Sequence, residues 1–247
     1  MIKPPFVRPE DDVKEVGRIF GVPLVVKGRT WLPFVQLIAW LFMARVAGER
    51  KPGRTLGQRL GVGALTMPVV LGSEWCHNLA HAAAARWVGK PMDAIRIVWG
   101  MPLLIYYDIN DQQVSPRQHI VRALGGPLFN TLAWLAARLL RRQARRGSVL
   151  SEVAEAAVTM NAFIAGVGLL PIPGIDGGPI LKWSLVQMGR TPAEADLAVR
   201  KVNGVLGAGL AGAGAAALKR KRWLLGGVML LLAGAALSIA AGLLKEQ

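Results

Sequence analysis

The chain has 247 residues, 53% of them hydrophobic, and a formal net charge of +15. Its mean hydropathy is +0.38, and the apolar residues come in long runs rather than a two- or three-fold pattern, which argues against an ordinary soluble globular fold. Nucleic-acid binding is disfavoured as the meaning of the charge, because Lys and Arg gather in short segments between apolar runs, as in cytoplasmic loops of membrane proteins. The single cysteine, Cys76, excludes an internal disulfide and reads as a small buried hydrophobe.

In chain order, residues 1–30 read as a polar surface arm against the membrane, with an apolar patch at Val22 to Val26. Pro and acidic residues stand where a signal peptide needs an apolar core, so no cleaved targeting segment is expected. Trp31 to Ala47 is the first expected span, with Arg45 reaching to its end, and Gly48 to Leu60 is a basic loop. Gly61 to Gly89 is the second span, kinked or restarted at Pro68. Met92 to Asp108 is rich in strand formers and interrupted by Gly100 and Pro102, which predicts a β-hairpin at the membrane surface.

His119 to Leu140 is the third span, followed by Arg141, Arg142, Arg145 and Arg146. Leu150 to Leu170 is the fourth, with Ser151 as candidate N-cap and Glu152 in its first turn. It ends in LLPIPGIDGG, which cannot stay helical. Irregular backbone at membrane depth needs protein or a wet cavity around it, so this segment should present Asp176 toward an interior site. Pro179 to Lys201 reads as a short amphipathic helix and a turn, with Thr191-Pro192 opening another helix. Gly204, Ala208 and Gly212 predict a close-packing face on the span Val202 to Leu218. Lys219 to Arg222 is a third basic turn, and Trp223 to Leu244 is the last span, paired as a hairpin with the one before.

The expected fold is an all-α polytopic membrane bundle of about six spans with a small membrane-surface β-hairpin. It forms a single integral membrane domain over residues 1–247. The arm and first span occupy 1–60, a core 61–181, and C-terminal helices 182–247. The basic loops follow the first, third and fifth spans, so the positive-inside rule puts them in the cytoplasm and both termini outside.

The chemistry concentrates in the second span. Residues three and four apart share a helix face, so Glu74, His77, Asn78 and His81 form one polar stripe on an apolar rod. Ionisable groups inside a membrane are costly and mark a functional site by default. Two His at i and i+4 supply half of a zinc site. Asp176, flanked by glycines, is the best third ligand. Asp93, Asp108 and Asp111 lie in a surface segment and fit less well, and His119 reads as a membrane-interface histidine.

The segment from His77 to Arg86, opening HNLAH, resembles the HExxH helix of the site-2 protease family of intramembrane zinc metalloproteases. Gly125-Gly126-Pro127-Leu128-Phe129-Asn130 resembles that family's G-P-x-x-N element. Asn161 through Leu170, then Pro171 to Gly178, resembles its third core span ending in aspartate-glycine. The resemblance covers about Gly61 to Leu181. It implies a three-span core, Zn²⁺ held by His77, His81 and Asp176, support for substrate or oxyanion from Asn130 and Asn161, and an unwound membrane helix as substrate. It also implies a multi-pass protein, in the plasma (inner) membrane of a prokaryote, with hairpin and catalytic end toward the cytoplasm, opposite to the charge-based orientation.

The sequence departs from the family at two positions. Asn78 stands where the family has the Glu that takes a proton from metal-bound water, and an amide cannot do so. Gly168 stands where the family usually carries a second asparagine. Glu74, one turn before Asn78, is either a carboxylate hydrogen-bonded to a ligand histidine, the preferred reading, or a substitute base. Three functions follow: an intramembrane protease, a catalytically inactive pseudoprotease that binds or sequesters membrane-protein clients, and, least favoured, a transporter.

Overall fold

A computed structural model describes residues 12–243 except 109 and 112. Residues 1–11 of the expected arm, and the Leu244 end of the last expected span, lie outside the described residues. The chain divides into two compact units, Met1–Tyr107 with Gly125–Gly166, and Asp108–Leu124 with Val167–Gln247.

The first unit opens with β1 (Lys14–Ile19) and β2 (Val22–Val26), continues through α1 (Phe34–Arg50) and α2 (Leu56–Trp87), and returns as β3 (Ala94–Val98) and β4 (Met101–Ile105). The expected hairpin is therefore half of a four-stranded sheet in the order β1-β2-β3-β4. The two hairpins join by a parallel pairing of Leu24 with Ile95 and Val25 with Arg96. The arm expected to lie against the membrane is built as strands. Both hairpins turn on a pair with positive φ, Phe20-Gly21 and Trp99-Gly100, which is what a tight two-residue turn requires. Val22, Met92 and Ile95 pack on Ala82 and Ala85 of α2. The sheet thus takes one face of the back half of α2 and leaves another for the polar stripe.

α2 starts at a capping box. Thr55 accepts from the Gln58 amide, and the Gln58 side chain accepts from the Thr55 amide. The helix runs unbroken for 32 residues with Pro68 inside it, so there is no restart there. It meets α1 at Gly63, where an added Cβ would lie 2.8 Å from the Ala44 nitrogen. Cys76 is exposed, a correction to its expected burial: the back half of α2 is covered on the sheet side and the histidine side, and Cys76 points to neither.

α3 (Pro116–Gln143) belongs to the first unit from Gly125 onward, and α4 (Val149–Gly168) up to Gly166. Ser148, not Ser151, caps α4: its hydroxyl accepts from the Ser151 amide at 3.1 Å. Glu152 receives both Arg54 η-nitrogens, at 2.8 and 2.6 Å. That pairing raises the Arg54 guanidinium above its ordinary pKa, chiefly through the hydrogen bond.

The second unit holds the start of α3, the loop after α4, and α5 (Gly177–Gln187), α6 (Pro192–Lys219) and α7 (Trp223–Ala240). α6 starts at a Thr191–Glu194 capping box and runs straight through the expected Val202 to Leu218 span. It pairs with α7 as the expected hairpin, but of the three expected small residues only Gly204 lies near α7, at Ala240. Gly207 packs on Leu237, and Gly214 on Leu230 and Gly226, while Ala208 and Gly212 are exposed. Small residues fill so much of α6 that spacing alone does not fix which face is the seam.

Among the described residues three helices are long and apolar enough to cross a membrane: Pro116–Gln143, Val149–Gly168 and Trp223–Ala240. α2, which carries the polar stripe, is not one of them.

Candidate metal centre

His77 and His81 sit one turn apart on α2, 6% and 5% exposed. Their Nε2 atoms lie 3.0 Å apart, with the rings edge to face. α3 comes close against them because it carries Gly125 and Gly126. A Cβ on Gly125 would strike the Ala80 carbonyl, and one on Gly126 would strike both imidazoles. The Gly126 amide donates to His81 Nδ1 at 3.4 Å.

His77 Nδ1 lies 2.5 Å from Asn130 Oδ1. Asn130 Nδ2 donates to Asn161 Oδ1 at 2.7 Å and, more weakly, to the Ser73 carbonyl at 3.4 Å. Asn161 Nδ2 donates to Ser73 Oγ at 3.0 Å and to the Ala157 carbonyl at 2.9 Å. Ser73 Oγ in turn donates to the Val69 carbonyl at 2.8 Å. Asn130 is fully buried and Asn161 is 4% exposed. Ser73 was not anticipated, although its place four residues before His77 is a signal the sequence carries.

Asn78 donates from Nδ2 to the Glu74 carbonyl at 2.9 Å and to Glu74 Oε1 at 3.0 Å. The Glu74 carboxylate therefore engages the amide at the base position, and among the described residues it accepts no bond from a histidine. Asn78 is buried and Glu74 half-buried.

Asp176 lies in the second unit, half-buried, at the start of α5. Its side chain makes no capping bond to that helix. The loop before it folds tightly because the next two residues are glycines: a Cβ on Gly177 would strike the Leu169 and Leu170 carbonyls, and one on Gly178 that of Ile172. Asn203 of α6, fully buried, donates to the Pro171 carbonyl at 2.7 Å and anchors the loop. Nothing in the sequence pattern pointed to Asn203. His119 is buried. It stacks on Trp183 at 3.9 Å, with Nε2 3.3 Å from the Asp111 carbonyl oxygen. Asp93, Asp108 and Asp111 accept backbone amides of their own segment, from Tyr107, Asn110 and Gln113.

The fold is that of a solved structure, the site-2 protease from Methanocaldococcus jannaschii. The match has a TM-score of 0.53 at 14% identity and covers 93% of this chain and 95% of that one. A candidate zinc metalloprotease of the same organism is 28% identical over 124 residues, 44% of this chain and 64% of the relative. The likeness is one of fold to the solved site-2 protease and of part of the sequence to the metalloprotease relative. No protein-family model matches it, and it spans less than two thirds of that curated relative. Among the described residues this fold carries three helices long and apolar enough to cross a membrane.

Proposed function

We propose that this chain is a zinc-binding, protease-like membrane protein that engages membrane-spanning peptides. His77, His81 and Asp176 are the metal ligands in this reading. The observation that carries it is the buried histidine pair. Tetrahedral zinc with bonds of about 2.0–2.1 Å needs nitrogens roughly 3.3–3.4 Å apart, and the two Nε2 atoms stand at 3.0 Å, so a few tenths of an ångström of spreading suffices. When bound, zinc would polarise a peptide carbonyl and acidify a water. Asp176 is supported as third ligand by its aspartate-glycine motif and by a carboxylate not used in capping α5. The protein is read as multi-pass, in the inner membrane of a prokaryote, with membrane-protein clients.

Two readings of its activity remain, and one observation separates them in weight. Asn78 has no basic atom to accept a proton from water, and its amide is bonded to Glu74. Client binding with little or no cleavage is therefore the favoured form, and cleavage with Glu74 as substitute base is the other. The test starts with metal content of the purified protein beside His81→Ala and Asp176→Asn. Near-stoichiometric zinc in the wild type, lost in both variants, is expected; absence of zinc from the wild type overturns the reading. Asn78→Glu should then raise cleavage of a membrane-peptide reporter by about 10²- to 10⁴-fold. Wild-type cleavage abolished by Glu74→Gln would instead make Glu74 the base.

A further inference from the structure

We infer that Asn130, Asn161 and Ser73 form a one-way hydrogen-bond relay that holds His77 as its Nδ1–H tautomer, keeping the Nε2 electron pair for a metal. The inference rests on the metal-site reading for its purpose, but its geometry stands apart from it. The relay leaves α2 at His77, crosses to Asn130 on α3 and Asn161 on α4, and returns to α2 at Ser73.

Its direction follows from its far end. The Val69 carbonyl can only accept, so the Ser73 hydroxyl donates to it. Ser73 Oγ is then the acceptor for Asn161 Nδ2. The Ala157 carbonyl, also acceptor-only, fixes the same end of the Asn161 amide independently. Asn161 must turn its Oδ1 to Asn130, and Asn130 must donate to it from Nδ2. That leaves Asn130 Oδ1 facing the imidazole, so His77 Nδ1 carries the proton. Nε2 is the atom without it.

The neighbouring ring agrees. The Gly126 amide can only donate, so His81 Nδ1 accepts, and His81 Nε2 carries a hydrogen toward His77 Nε2 at 3.0 Å. His77 Nε2 is therefore the acceptor in that contact, while His81 Nε2 would have to give up its hydrogen to hold a metal. Asn130 is fully buried, and both ends of its amide are engaged. It acts through His77 as a positioning residue rather than by touching a peptide.

The experiment reads imidazole ¹⁵N shifts of the full-length, chelator-treated protein in detergent micelles, together with zinc affinity. The chain has only 3 histidines, so assignment by single substitutions is direct. The wild type should show His77 as Nδ1–H. Asn130→Leu should move His77 toward Nε2–H and weaken zinc binding about 10- to 100-fold, the usual effect of removing a group that orients a ligand. Asn130→Asp keeps an acceptor against Nδ1 and should retain the wild-type tautomer, a rescue that a packing role would not produce. If Asn130→Leu does not fold, the wild type and Asn130→Asp still decide. A wild type with His77 as Nε2–H, or an Asn130→Leu protein with unchanged tautomer and affinity, overturns the relay. Nδ1–H in a wild type that binds no zinc would overturn the metal reading and leave the relay standing.

Discussion

Two adjacent glycines set the most exacting constraint at the scale of single residues. Gly126 lets α3 approach α2 so closely that one methyl group would overlap both histidine rings. Gly126→Ala should therefore empty the metal centre, since the rings can yield only by giving up their convergence. The check is zinc content beside thermal unfolding. Loss of zinc with the fold retained is expected, while a folded variant with full zinc would show that the helices part at little cost. The histidine pair was legible because i, i+4 spacing puts both rings on one face whatever else surrounds them. The glycine's meaning was not, because a glycine declares its neighbour only once the neighbour's position is known. Glu74 was misjudged for a related reason: one turn of helix offers it His77, Asn78 or its own surroundings, and only the packed rotamers choose Asn78.

At the scale of elements, the first unit is tied across its basic end by Arg54 and Glu152. Their side chains are 10% and 11% exposed, and Arg54 also donates to the Ala47 carbonyl at 3.0 Å. Removing one partner of a buried pair leaves a desolvated charge and typically costs about 3–5 kcal/mol. Glu152→Ala should approach that cost in micelle denaturation. Lys51 meets the same carboxylate at 3.3 Å but is 44% exposed, so Lys51→Ala should cost only about 0–1 kcal/mol. Equal losses from the two variants would show that burial does not govern the cluster. The raised pKa of Arg54 means that its own contribution is lost only as pH rises through the folded value, whereas the pair also needs an ionised Glu152 and is lost in acid. That value lies above the ordinary arginine range, so the pair should survive every alkaline condition the protein itself survives. Helices were readable because apolar runs broken by Arg clusters or Pro-Gly segments have few other solutions. β1 escaped notice because KEVGRI is exposed along most of its length, and a strand without a buried face carries no alternation to read. Its Phe20-Gly21 turn has the same positive-φ pair as Trp99-Gly100, of which Gly100 was one of the signals for the second hairpin.

At the scale of the whole molecule, charge and structure together make membrane orientation testable. Within the first unit the loop after α1 and the loop before α4 meet: Lys51 donates to the Gly147 carbonyl, and Arg54 pairs with Glu152. The basic segments around them, with Arg141, Arg142, Arg145 and Arg146, thus share one end. α2 leads away from that end for 32 residues, about 48 Å at 1.5 Å per residue, and delivers the chain to the sheet. A hydrocarbon core of about 30 Å fits within that length. If α2 spans, the basic end and the sheet lie on opposite sides, and the positive-inside rule puts the basic end in the cytoplasm. Cys76 is the only cysteine, so Cys76→Ala gives a background in which single cysteines at Gly53, Arg145 and Lys14 report position. A membrane-impermeant maleimide should label Gly53→Cys and Arg145→Cys from the cytoplasmic face and Lys14→Cys from the other. The reverse pattern would give the orientation implied by the family resemblance, with the histidine end of α2 toward the cytoplasm, and would mean that packing around the core outweighs the Arg clusters in setting topology. Labelling of all three from one side would exclude α2 as a span altogether.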